Sequence, residues 1–218
     1  MPGLGIFVVP TMVLVVGDAR QSAGWLLPVL CAADIVAVLY WGRHSAANKL
    51  FSLMPWVLIG TAGGAVALNW NDSVLRPMVG AIVLVMLAIY LYRRLRPGLH
   101  QPAEAGAIPY GITAGFATTV ANAAGPVMNL YLLSKRLPKE EFIATGVWFF
   151  FIINLTKIPI YLWHGLISPA SLRFDAAMVP AILVGAATGR WMVGHIPIRA
   201  FEIAVVVLTL LSTLMLFR

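Results

Sequence analysis

The chain has 218 residues, of which 61% are hydrophobic and 11% charged, with a formal net charge of +7 and a mean hydropathy of +0.90. A soluble domain carries about 25% charged residues, so this composition excludes one and predicts a polytopic membrane protein whose first partner is the lipid bilayer. The basic residues sit in short loops between apolar runs, which is the pattern of membrane topology and not of a basic groove, so no nucleic-acid partner is expected.

In chain order, the first apolar segment, Leu4–Gly17, has 14 residues and is too short to cross a bilayer untilted. Ala23–Gly42 follows, with Cys31 and Asp34 in its middle, then Phe51–Leu68 and Val74–Tyr92. Arg93–Ile108 is a polar linker carrying Arg93, Arg94, Arg96 and Glu104. Gly111–Leu133 is apolar but broken at its centre by Ala121-Asn122-Ala123-Ala124-Gly125-Pro126. Pro126 lacks a backbone N–H and disfavours helix at Gly125, so two arms of about 10 residues are expected, each roughly half a hydrocarbon core long. Phe142–Gly165 holds Lys157 a little past its middle, and Ala176–Gly194 and Ala200–Phe217 complete the set. Six of the eight segments are long enough to span.

The two halves resemble each other. Pro55-Trp56-Val57-Leu58-Ile59-Gly60 with Gly64 matches Pro180-Ala181-Ile182-Leu183-Val184-Gly185 with Gly189, 125 residues later. Such Gly-x-x-x-Gly pairs permit close helix contact. With all eight segments crossing, the loop lysines and arginines divide seven to seven; with the first and fifth as re-entrant hairpins, they divide ten to four, which satisfies the positive-inside rule. The fold expected is therefore an all-α integral membrane protein of two inverted repeats, each of one re-entrant helical hairpin plus three transmembrane helices. Residues 1–92 form the first repeat, 93–108 a cytoplasmic linker and 109–218 the second repeat, with the C-terminus periplasmic. Gly3-Leu4-Gly5 is then the tip of a first hairpin that is incomplete as written, and an ascending arm of roughly 10–15 residues is expected ahead of it, by analogy with the second half.

Broken helices at membrane depth are tolerated where protein or a cavity satisfies their backbone, and in transporters they sit at the substrate site. Asn122, Ala123, Ala124 and Gly125 form the second tip. The arm that follows, read as starting at Pro126, points free N–H groups and the positive end of its dipole toward mid-membrane, an anion site made of backbone. Gly3 and Gly5 offer the same from the pseudo-symmetric tip. Lys157 supplies positive charge to an anion, pairs structurally with Asp34, or snorkels. Asp34 is either a proton carrier for coupling or a fixed counter-ion. Asn154 shares a helix face with Lys157 and either donates to the substrate or ties the broken backbone. Cys31 lines a cavity or fills apolar space. Thr118, Thr119, Thr145 and Asn129 are further polar candidates. His44, His100, His164 and His195 are scattered, so neither a metal nor a cofactor is expected, and a single cysteine excludes an internal disulfide. No Walker loop, His-x-x-Glu-His or Gly-x-Ser-x-Gly motif occurs, and no basic n-region of a signal peptide is visible.

The run Ala121–Leu133 (ANAAGPVMNLYLL), then Lys139–Gly146 (KEEFIATG), Asn154-Leu155-Thr156-Lys157 and Tyr161, resembles the second-half signature of the sulfite exporter TauE/SafE family. That signature pairs an Ala-Gly-Pro break with a Tyr-Leu-Leu arm, a Phe-x-x-Thr entry, here Phe142 to Thr145, and an Asn-x-x-Lys, here Asn154 to Lys157. The resemblance covers nearly the whole chain and is specific over about Thr113–Gly165. It implies a multi-pass carrier of the bacterial inner membrane that exports small sulfur oxyanions such as sulfite or thiosulfate, or organosulfonates. The alternative is a non-transporting membrane subunit, or an incomplete carrier that needs a partner or an upstream segment. An enzyme is not expected, because Asp34 and Lys157 are the only ionisable groups deep within the segments. Nothing in the sequence sets an oligomeric state.

Overall fold

The computed structural model describes residues 19–67, 71–95 and 106–217, and among them there are helices and no strand. The helices are α1 (Ala19–Trp41), α2 (Ala47–Ala67), α3 (Asp72–Leu95), α4 (Ala107–Ala121), α5 (Ala124–Ser134), α6 (Lys139–Trp163), α7 (Pro169–His195) and α8 (Ile198–Leu214). Four of them, α1, α2, α6 and α7, are long and apolar enough to cross a membrane; the apolar stretch of α3, Pro77–Tyr92, is shorter, as is α8. The chain is thus an all-helical membrane protein. The expected tip at Gly3 and Gly5 and most of the linker lie outside the described residues.

Local chemistry fixes several boundaries. α6 ends where Gly165 takes a left-handed φ of +66°, with Gly165 N–H donating to the Leu162 carbonyl and Leu166 N–H to that of Tyr161; this pattern satisfies the last carbonyls and needs a residue without a Cβ. α7 starts at a capping box in which Ser168 and Ser171 exchange side-chain bonds to each other's backbone N–H, with Pro169 in the first turn. Pro28, Pro55, Pro77, Pro159 and Pro180 each stand inside a helix, and each removes one intrahelical hydrogen bond.

The helices sort into two packed units. In the first, α6 runs antiparallel to α1. A Cβ on Gly24 would overlap the Leu166 carbonyl at one end, Asn154 meets Asp34 in the middle, and Trp148 Nε1 donates to the Gly42 carbonyl at 3.0 Å at the other end. α7 runs parallel to α1: Trp25 stacks on Phe174 at 5.9 Å, and Arg190 lies 5.0 Å over the Tyr40 ring. Lys139, the first residue of α6, donates to the carbonyls of Val193 (2.6 Å) and Ile196 (2.9 Å) at the far end of α7.

The second unit holds α2, α3, α4, α5 and α8 from Glu202 on. Here α2 and α4 run parallel and in close contact. A Cβ on Gly60 would strike the Ile112 carbonyl, and one on Gly115 would strike that of Val57. α4 and α5 form a helical hairpin. Tyr110 near the start of α4 stacks on Tyr131 near the end of α5 at 5.7 Å, and the Tyr131 hydroxyl donates to the Lys49 carbonyl at the start of α2. α5 therefore returns to the level that α4 left. With 15 and 11 residues, the arms are about 22 and 16 Å long, against about 30 Å of hydrocarbon.

Candidate functional site

The hairpin tip lies at Asn122–Ala123. Asn122 adopts φ +49°, a left-handed conformation that Asn tolerates better than most residues. Its N–H donates to the Thr118 carbonyl, and the N–H of Ala123 to that of Ala117, so the end of α4 is closed. The beginning of α5 differs from expectation: the helix starts at Ala124 and not at Pro126. The first residues of a helix donate no intrahelical bond, so a proline is accommodated in that turn. Ala123 provides no side-chain cap to α5, and a Cβ built on Gly125 would meet nothing within 4 Å. Behind the tip α5 is buried almost throughout, with Asn129 donating to Thr209 Oγ1 at 3.2 Å.

Asp34, Asn154 and Lys157 come together in the other unit, where α1 faces α6. Asn154 Nδ2 donates to an Asp34 carboxylate oxygen at 2.7 Å. Lys157, one turn along α6, is 1% exposed, and its Nζ lies 5.8 Å from the centre of the Tyr161 ring. Cys31, one turn before Asp34 on α1, is buried with Leu27 and Tyr161. Asn154 thus holds the carboxylate of Asp34, a task that neither sequence reading gave it. A buried lysine can meet a small anion, whereas an ionised Asp34 carboxylate near it would oppose one. Two threonines are occupied with the backbone: Thr119 donates to the Gly115 carbonyl, and Thr145 accepts from the N–H of Ala46. No group of three or more metal-ligating side chains occurs among the described residues.

The sequence reading missed Asp175. It began the seventh segment at Ala176, whereas α7 begins at Pro169 and buries Asp175 to 7% exposure. The Ser168-Pro169-x-Ser171 capping pattern was the signal that could have found it.

A model of the sulfite exporter TauE/SafE family matches residues 2–216. The chain belongs to this family. TauE/SafE proteins are membrane transporters, so a helical multi-pass membrane protein and a small-molecule substrate follow directly, and the reading as a non-enzyme agrees. No curated protein and no solved structure matches the chain.

Proposed function

We propose that this chain is a secondary transporter of small anions, exporting sulfite, thiosulfate or organosulfonates across the bacterial inner membrane by alternating access. The observation that carries the reading is Lys157, a cation buried to 1% exposure inside a helix long enough to span. A charge at such depth is costly and is kept where it serves a pathway. Lys157 supplies the positive charge, and Asn154 orients the Asp34 carboxylate near it. Asp34 couples transport to the proton gradient. The tip of the α4–α5 hairpin, from Asn122 to Gly125, presents first-turn N–H groups and open space beside Gly125, which suit an oxyanion. In this reading the hairpin is re-entrant, the halves are inverted repeats, and Gly3 and Gly5 supply the matching tip.

The test is anion flux from proteoliposomes loaded with sulfite or thiosulfate, comparing wild type with Lys157→Met. A charged hydrogen-bond partner is worth ~1.5–3 kcal/mol, so flux should fall about ten- to a hundredfold while membrane insertion stays intact. Undiminished flux would remove Lys157 from the site. Reporter fusions near Pro97 and at the C-terminus should label opposite sides of the membrane, and same-side labelling would sink the hairpin topology.

A further inference from the structure

Asp175 is the one carboxylate among the described residues that is buried with neither oxygen hydrogen-bonded, and it lies within the span of α7. An ionised carboxylate withdrawn from water without a donor is strongly disfavoured, whereas the neutral acid is tolerated. Such a group exchanges a proton whenever its access to water changes. We propose that Asp175 is a proton-exchange site that links one end of the α1–α6–α7 unit to the Asp34–Asn154–Lys157 centre and so couples anion movement to protons. This rests on the transporter reading above.

The geometry of the unit supports it. Trp25 is level with Phe174, and Tyr40 with Arg190, so Asp175 sits level with the first third of α1, about 12 Å along the axis from Asp34. Buried Tyr161 and Cys31 stand between those two levels, and buried Ser22 and Ser171 stand toward the nearer helix ends. The unit thus carries polar side chains along its interior, from the ends of α1 and α7 to the buried lysine. The ionisable residues of α1 are Arg20, Cys31, Asp34 and Tyr40; those of α6 are Lys139, Glu140, Glu141, Lys157 and Tyr161; α7 itself adds Arg173, Arg190 and His195. None of them bonds to an Asp175 oxygen. Arg173, two residues away on the same helix, is exposed and projects from the opposite side.

The experiment uses the full chain in proteoliposomes with thiosulfate as the probe. It measures thiosulfate–thiosulfate exchange without a gradient, thiosulfate flux driven by a pH gradient, and proton movement with an entrapped pH dye. Asp175→Asn should leave exchange within about twofold of wild type and lower the gradient-driven flux and proton movement at least about tenfold, with Asp175→Glu restoring most of both. A wild type that exchanges thiosulfate without responding to the pH gradient, or an Asp175→Asn variant that responds as wild type does, overturns the proposal. Infrared spectroscopy of the purified protein tests the site apart from transport. Wild type should show the carbonyl stretch of a protonated carboxyl group that Asp175→Asn lacks, and its absence from wild type also overturns the proposal. A wild type that exchanges neither thiosulfate nor sulfite sinks the transporter reading, and the infrared band alone then decides Asp175.

Discussion

Gly60 on α2 and Gly185 on α7 occupy matching places in two similar sequence runs, yet their surroundings are opposite. At Gly60 the backbone of α4 comes so near that a Cβ would collide with the Ile112 carbonyl, whereas a Cβ at Gly185 would meet nothing within 4 Å. α4 answers with its own pair, Gly111 and Gly115, whose missing side chains let it settle onto Leu53, Trp56 and Val57. The two spans differ accordingly: α2 is buried over much more of its length than α7. A Gly-x-x-x-Gly pair permits a close approach; a second helix with matching gaps is what uses it. The α4–α5 hairpin, and with it the tip around Asn122, is held by this seam.

Breaking the seam gives the largest expected effect. Gly115→Leu would drive a side chain into the backbone of α2 and should abolish folded protein, read as loss of the monodisperse species in detergent. Gly60→Ala should follow, at about 1–3 kcal/mol or more, because the obstructing atom is a backbone carbonyl that cannot rotate away; thermal unfolding would measure it. Gly64→Ala should cost less, since the nearest atoms, Thr119 Cβ at 2.8 Å and the Phe116 carbonyl oxygen at 3.1 Å, stand farther off than the carbonyl at Gly60. Gly185→Ala is the control that sharpens the comparison, with stability unchanged or raised by up to ~1 kcal/mol through helix propensity alone. If Gly185→Ala proved as damaging as Gly60→Ala, the contrast between the two helices would be wrong.

The same contrast marks what the sequence could disclose. Both glycine pairs were visible, but which members are covered, Gly60 and Gly64 on α2 and only Gly189 on α7, depends on neighbours far along the chain, and no local pattern names them. The break at Asn122 was legible because Pro126 and Gly125 forbid an unbroken helix. Its register was two residues out at α5, since a first helical turn accommodates proline. Asn154 and Lys157 were legible as one helix face, whereas the bond from Asn154 to Asp34 joins residues 120 apart and depends on how α1 meets α6. Asp175 was lost through a boundary error: hydropathy falls at Arg173 and Asp175, and the segment was trimmed where the helix in fact continues to its serine cap.

The bonds from Lys139 to the carbonyls of Val193 and Ile196 bear on how the protein is made. They join residues 54 and 57 apart. During synthesis at ~5–20 residues per second, Lys139 waits roughly 3 to 11 seconds for its acceptors to be made. The unit it closes also draws on α1, whose chain is made before all of α2 to α5. The α1–α6–α7 bundle is therefore assembled late, by recalling a helix already delivered to the bilayer, and its buried lysine and carboxylates stand in an unfinished environment until that final clasp is fastened.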